Sequence, residues 1–529
     1  MQISDDFRKS MSWFHTWVGI ALSGVLFAIF WMGTLTIFHY EIDKWMMPEK
    51  RIAQAVDTSF DEKVWPIIQE KDLSDAKSIF LARPKQRAPL TRTFILKDDG
   101  RENAYYDSNS GEEVTLTKSL GAGRFFYPFH YMLHISWAGL GYWIVGLASM
   151  GMLSLLVSGI FIHRKIIQDF FTFRPKKQAR RSLLDMHNIT SLIALPFHVL
   201  FPLSGLLIFI FVYFPGALKT PFAGDRDAYF AEKRGHYARA LTGVEAPLPT
   251  SIDTFITRAE DIWTQRDGMP AHADYIRVEN IGDKNTYVIV QHSFPKRRVG
   301  SNQGYIAFDA QSREVLFDFT PKPISKASNW LTGAHFMLFD HWPLRWLLFL
   351  GGLSSCAMIA TGLVFWMRAR IKKGAEPTSV RVIRATSIGT VTGMMLASIS
   401  FMAANRMLTN DSVLFGVERE FLEVGAFAFV WIGSFVHASL RNKNAWAEQC
   451  LAITFVCILA VFLNWITTGD NIVSTINGGL WSIAMIDIVL ISSAAAAFFA
   501  AKRLKQALLS ENTPPRRMKS SRAQAVAAE

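Results

Sequence analysis

The chain has 529 residues, half of them apolar and 13% aromatic, with a formal charge of +12 at pH 7. That length admits several folded domains or many membrane spans, and the clustering of the apolar residues into long runs decides for the membrane. The positive charge gathers at the ends of those runs, as the positive-inside rule requires, so it gives no ground for a nucleic-acid partner.

A polar lead with Arg8 and Lys9 precedes the first run, WFHTWVGIALSGVLFAIFWMGTLTIF, which carries His15 near one end and is followed by His39. The run is too long for a signal-peptide core and no small-residue cleavage site follows, so residues 1–40 read as an uncleaved first span. Residues 41–129 form a first lobe, with a helical pattern from Phe60 to Gln69 and strand-like TFILK and AYYD around a DDG turn. Residues 130–213 hold spans 2 and 3 about a basic loop containing Arg164, Lys165, Arg174, Lys176, Lys177, Arg180 and Arg181. Residues 214–330 repeat the lobe, with a helix over Ser251–Thr264 and strands YIRV, TYVIV and YIAFD. Span 4 occupies 331–370, a bundle of four further spans 371–505, and a polar, disordered tail 506–529.

The eight windows are roughly 14–38, 138–162, 189–213, 343–367, 385–405, 420–440, 446–467 and 478–500. The expected fold is therefore a polytopic α-helical membrane protein of about eight spans: a duplicated four-helix core with two α+β lobes, plus a C-terminal four-helix addition. With the N-terminus inside, every basic cluster and the C-terminus fall on the cytoplasmic side and both lobes outside. Cys356, Cys450 and Cys457 all lie in spans, so no disulfide framework is expected.

Internal similarity supports the duplication. Superposing His15 on His187 places Gly33 on Gly205, and aligning Trp143 with Trp346 brings SGIFIHR onto TGLVFWM. The turns YYDSNSGEEV and AFDAQSREVL match between the lobes, with Arg313 in place of Gly111. Two units in the same orientation pack about a pseudo-twofold axis along the membrane normal, so repeat mates face one another at equal depth.

Ionisable groups in spans are costly and point to function. His15 and His187 are mates at the inner boundary, and His134 and His335 are approximate mates at the outer boundary. Two opposed imidazoles are what a six-coordinate b-type haem requires, so two such layers make a transmembrane electron path. His198, about three turns beyond His187, is a candidate for a deeper ligand or a swap with one of the four. His130, one turn before His134, is the alternative outer ligand. His163 is a further candidate, as ligand or propionate partner, with Arg164, Arg181 and Arg345 as possible propionate donors. A closed zinc site, which needs about four converging ligands, is the competing metal reading.

These residues resemble the PepSY-associated transmembrane proteins of bacterial inner membranes. The resemblance covers roughly 10–370 and rests on HTWVGIALSGVLFAIFWMGTLTIFHYEID, FHYMLH followed by LVSGIFIHRKIIQDFFTFRP, DMHNITSLIALPFHVLFPLSGL, and MIATGLVFW. It implies periplasmic PepSY-like lobes, a link to iron uptake, and haem b, two per chain, ligated from among His15, His134, His187, His198 and His335. It further implies reduction of ferric iron in a periplasmic siderophore. No nucleotide or flavin motif is visible in the sequence, so a separate electron donor is expected, a quinol or a cytoplasmic reductase. Two other functions compete: a siderophore or peptide permease, favoured by the repeat together with eight spans but opposed by the lack of Gly/Pro-interrupted span pairs apart from Pro196 and Pro202 in span 3, and a sensor or scaffold acting through the lobes.

Overall fold

In the computed structural model, the described residues are 4–53, 59–163, 179–292, 299, 304–337, 339, 341–371 and 377–512. Arg164, the rest of the basic loop up to residue 178, and the tail beyond 512 lie outside them.

Four helical elements form a ring. These are α1 (Asp5–Thr36), α2 (Leu140–Ile162), the successive pair α3 (Ala179–Ile193) and α4 (Leu195–Ile208), and α5 (Trp342–Arg370). α1 lies between α2 and α5, while α3 packs on α5 and α4 on α2. The third element is bent by 62° between α3 and α4. Pro196 in the first turn of α4 explains the break, since its ring excludes the helical path of the preceding residues and it offers no N–H. Apolar residues cover α2, α4 and α5 on nearly every side, as expected of segments that face lipid outside and packed neighbours inside, whereas α3 is amphipathic.

The C-terminal part comprises α6 (Thr378–Met407), α7 (Arg419–Arg441), α8 (Ala445–Thr468) and α9 (Trp481–Asn512). α6 is the most enclosed of them and joins this bundle to the ring: Trp31 Nε1 on α1 donates to Ser398 Oγ on α6 at 3.0 Å. Among the described residues, six helical stretches are long and apolar enough to cross a membrane, or seven if the bent pair counts as one span. The longest, Arg419–Thr468, spans 50 residues and includes both α7 and α8, parted by a tight turn at Asn442–Asn444 where Asn442 is left-handed.

The two expected lobes are one sheet. Seven antiparallel strands run in the order β3-β2-β1-β4-β5-β6-β7. β1 is Ala76–Ala82, β2 Leu90–Lys97, β3 Arg101–Asp107, β4 Ala273–Glu279, β5 Tyr287–His292, β6 Tyr305–Asp309 and β7 Val315–Phe319. β1 pairs with β4 over Ser78↔Glu279 to Ala82↔Tyr275, so each half covers the other's open edge. One face buries Ile79, Leu81, Ile276 and Val278 beneath the helix Asp253–Asp267 and the short helices Phe60–Lys63 and Trp65–Gln69. The single helix expected over Phe60–Gln69 is split because Pro66 cannot donate into the first segment.

Candidate functional site

The end of the ring away from the sheet holds His15 on α1 and His187 on α3. Their ring centroids are 6.3 Å apart with planes at 86°, across a cavity of 330 Å³. His15 Nδ1 lies 3.0 Å from the Leu155 carbonyl and 3.0 Å from Ser158 Oγ, both on α2. His187 Nδ1 lies 2.8 Å from the Met358 carbonyl on α5.

Nearer the sheet, a second cavity of 260 Å³ is flanked by His130 and His335, with ring centroids 6.0 Å apart. His130 sits on the helix Phe126–Met132, and its Nδ1 is 2.8 Å from the Ile29 carbonyl of α1. His335 sits on the helix Pro323–Phe336. Its Nδ1 is 2.8 Å from Ser204 Oγ and also faces the Phe201 carbonyl of α4. Both cavities are walled mainly by apolar side chains; the first lies at the lower end of the usual range of about 300–1,000 Å³ for cofactor sites and the second just below it.

A single local device seats all four rings. Each imidazole lies against a glycine of a neighbouring helix, and the carbonyl facing its Nδ1 belongs to the residue four positions before that glycine. The pairs are Ile29 with Gly33, Leu155 with Gly159, Phe201 with Gly205, and Met358 with Gly362. A Cβ at Gly33 would stand 2.7 Å from His130, one at Gly362 3.0 Å from His187, and ones at Gly159 and Gly205 3.4 Å from His15 and His335. Missing side chains open the groove through which the ring reaches the backbone. Gly33 and Gly205 are visible as repeat mates in the sequence; that they are the seats of histidines on other helices is not.

The carbonyl partners assign the Nδ1–H tautomer to His15, His130 and His187, leaving Nε2 as the lone-pair nitrogen. None of the four Nε2 atoms has a hydrogen-bond partner among the described residues. This is how metal-ligating histidines are held, with the second nitrogen fixed on a carbonyl. Two bonds of about 2 Å to a shared metal, plus the offset from nitrogen to ring centre, place two imidazole centroids roughly 6 Å apart. Among the described residues no three His, Cys, Asp or Glu side chains converge on a metal site, so each cavity offers a pair of ligands and not a closed tetrahedral set.

The remaining candidates lie outside the two pairs. His134 is not opposite His335: the chain leaves the helix at left-handed Leu133, and His134, exposed and itself left-handed, turns its Nε2 to the Phe125 carbonyl at 2.8 Å. His130 takes the place the repeat would have given it. His198 is fully buried and lines neither cavity. His163 ends α2 and lines the cavity far from the sheet. Arg181 pairs with Asp185 at 3.2 Å, and Arg345 is spent on the carbonyls of Phe339, Met337 and Ile37, so neither lines a cavity. Arg370, stacked over Trp366, lines the cavity far from the sheet, and His39 lines the near one.

A family model, the PepSY-associated TM region, matches residues 12–369, which contain every residue of both cavities except Arg370. The chain belongs to the PepSY-associated transmembrane family. An uncharacterized protein of Pseudomonas aeruginosa is similar to it, 23% identical over 271 residues, covering 48% of this chain and 66% of that protein's own length. In this PepSY-associated protein, α6 to α9 lie beyond the matched region and pack against it through α1, α5 and the helix His39–Met46, where Trp45 Nε1 donates to Asp487 Oδ1 at 2.7 Å.

Proposed function

We propose that the chain is a b-type-haem reductase of the bacterial inner membrane, passing electrons to ferric iron in a siderophore on the periplasmic side. The observation that carries this reading is the presence of two imidazole pairs, stacked along one helical ring, each with Nδ1 anchored and Nε2 free. His15 and His187 would hold one haem, and His130 and His335 the other. Each haem supplies one-electron chemistry through its iron, and the protein contributes ligands, an apolar surround and alignment. About 27 Å of α1 separates His15 from Gly33, so the sites lie at opposite boundaries of the membrane.

The reading includes eight spans, the bent pair counted once and Arg419–Thr468 twice. Basic residues Arg368, Arg370, Arg381, Arg384, Arg441, Lys443, Lys502, Arg503 and Lys505 then fall on the cytoplasmic side with both termini, and the sheet is periplasmic. The siderophore substrate rests on the family resemblance alone. The electron donor is separate, a quinol or a cytoplasmic reductase.

A rocking permease draws support from the 62° break in the third element. Its repeat mate α1, however, is continuous from Asp5 to Thr36, whereas paired broken helices are the mark of such transporters.

The test is a visible spectrum of the detergent-purified protein before and after dithionite, with pyridine haemochrome quantitation. About two haems per chain, and rapid reoxidation of the reduced protein on adding a ferric siderophore, are expected. A protein that stays colourless after expression with haem precursor ends the proposal.

A further inference from the structure

His198 stands where the two cavities meet. Leu26 and Met152 are common to both walls and form the partition. On α4, Leu195 lines the cavity far from the sheet, while Pro202 and Gly205 line the near one. Positions 195, 198, 202 and 205 follow helical spacing on one face, so His198 projects into the partition between them. Its ring meets Phe30, a residue of the near wall, edge to face at 6.4 Å.

The internal repeat shows what is unusual about this. The superposition that matches His15 with His187 and Gly33 with Gly205 matches Leu26 with His198. The other alignment, matching Gly159 with Gly362, pairs Met152 with Ser355. One half of the chain therefore gives the partition two apolar residues, and the other half two polar ones. Ser355 is satisfied, donating to the Gly351 carbonyl at 3.0 Å. His198 is not: it is 0% exposed, its Nδ1 lies 3.2 Å from the Ser191 carbonyl, and its Nε2 has no partner. An orphaned buried lone pair is costly to keep.

We infer that His198 is a positioning residue that sets the two haem potentials apart through the fixed dipole of its ring, a role that rests on the haem reading above. Ser191 lines the cavity far from the sheet, so the Nδ1–H end of the dipole, which is positive, is held toward that side. The negative Nε2 end is on the opposite edge of the ring. In an apolar partition such a dipole is weakly screened. It favours the reduced, less positive state at the far site and the oxidised state at the site near the sheet. An electron then rests on the donor side until an acceptor draws it across.

The experiment is a spectroelectrochemical titration of the full-length protein with His198→Leu, which installs the residue found at the repeat mate. The two midpoints are expected to move in opposite senses, the far site downward and the near site upward, with two haems per chain retained. The sites are assigned by titrating His130→Ala, in which only the far haem remains. His198→Gln, which keeps a polar amide, should recover part of the separation. If His198→Leu does not accumulate, His198→Met supplies the same apolar replacement. Two haems with unchanged midpoints, or midpoints shifting together, would overturn the inference. Loss of one haem in His198→Leu would overturn it by making His198 a ligand. A wild-type protein without haem would remove the parent reading and this inference with it.

Discussion

Asp61 and Asp253 cap each other's helices. The Asp61 carboxylate accepts from Ser251 Oγ and the backbone N–H groups of Ile252 and Asp253, and the Asp253 carboxylate accepts from Ser59 Oγ and the N–H groups of Phe60 and Asp61. Ser-Phe-Asp in one half and Ser-Ile-Asp in the other thus form a twofold clamp above the β1–β4 seam. Each carboxylate sits at a helix N-terminus, where unpaired N–H groups and the helix dipole favour negative charge.

Asp61→Ala and Asp253→Ala should each destabilise the sheet by about 1.5–3 kcal/mol, the range for hydrogen bonds to charged groups. Because each residue's backbone serves the other's carboxylate, the double variant should lose less than the sum of the two. Thermal melts of the four proteins in detergent check this, and strict additivity would show the two caps to be independent.

The glycine seats predict an ordered series. Gly33→Ala places its Cβ nearest a ring and should cost a haem most readily, followed by Gly362→Ala, with Gly159→Ala and Gly205→Ala mildest. Gly433→Ala, with nothing within 4 Å of the added carbon, should leave the haem content unchanged. Haemochrome stoichiometry across the five variants reads the order directly.

His130→Ala should lose one haem, whereas His134→Ala should keep both. The reverse result would mean that the chain between Phe126 and Leu140 adopts another path in the loaded protein. The reduced α-band, quantified per chain, distinguishes the two.

Arg313 holds a left-handed backbone, φ 62°, at the turn position where the first lobe has Gly111 at φ 80°. It is exposed, so Arg313→Gly removes strain without opening a cavity. A gain of up to about 1 kcal/mol is expected, reduced by the greater freedom of glycine in the unfolded chain. Hydrogen exchange at the β6–β7 turn would report it as added protection.

The same turn should loosen in acid. Burial raises the Asp309 pKa, but the N–H of Ser312, the guanidinium of Arg239 and the N–H of Gln311 outweigh it and hold the carboxyl below its ordinary range. A carboxyl depressed in the folded state stabilises above its unfolded pKa, about 3.9, and that contribution is lost as pH falls through the folded value. Protection at Gln311 and Ser312, measured relative to the intrinsic exchange rate at each pH, should therefore fall below about pH 4. In Asp309→Asn this pH dependence should vanish.

The placement of His15 opposite His187 was legible because both lie within helices whose repeat is continuous, so equal depth followed from equal register. His130 and His134 were not separable in the same way. Their spacing puts them on one helical face only while the helix lasts, and it ends between them at Leu133. Strand periodicity identifies β2 to β6 but misses β1, and it could not show that the two halves join at β1 and β4, because alternation specifies a face and leaves the edge partner open. The four glycines were legible as small residues in spans. Their role appears only when another helix supplies the ring.

Every pair in the ring draws one histidine from each half of the chain: His15 with His187, and His130 with His335. A chain of half the length would carry a single imidazole for each site and could close neither without meeting a second copy of itself. Joined in one chain, the two halves meet without that encounter and need not be identical: one side of the partition carries His198 where the other carries Leu26.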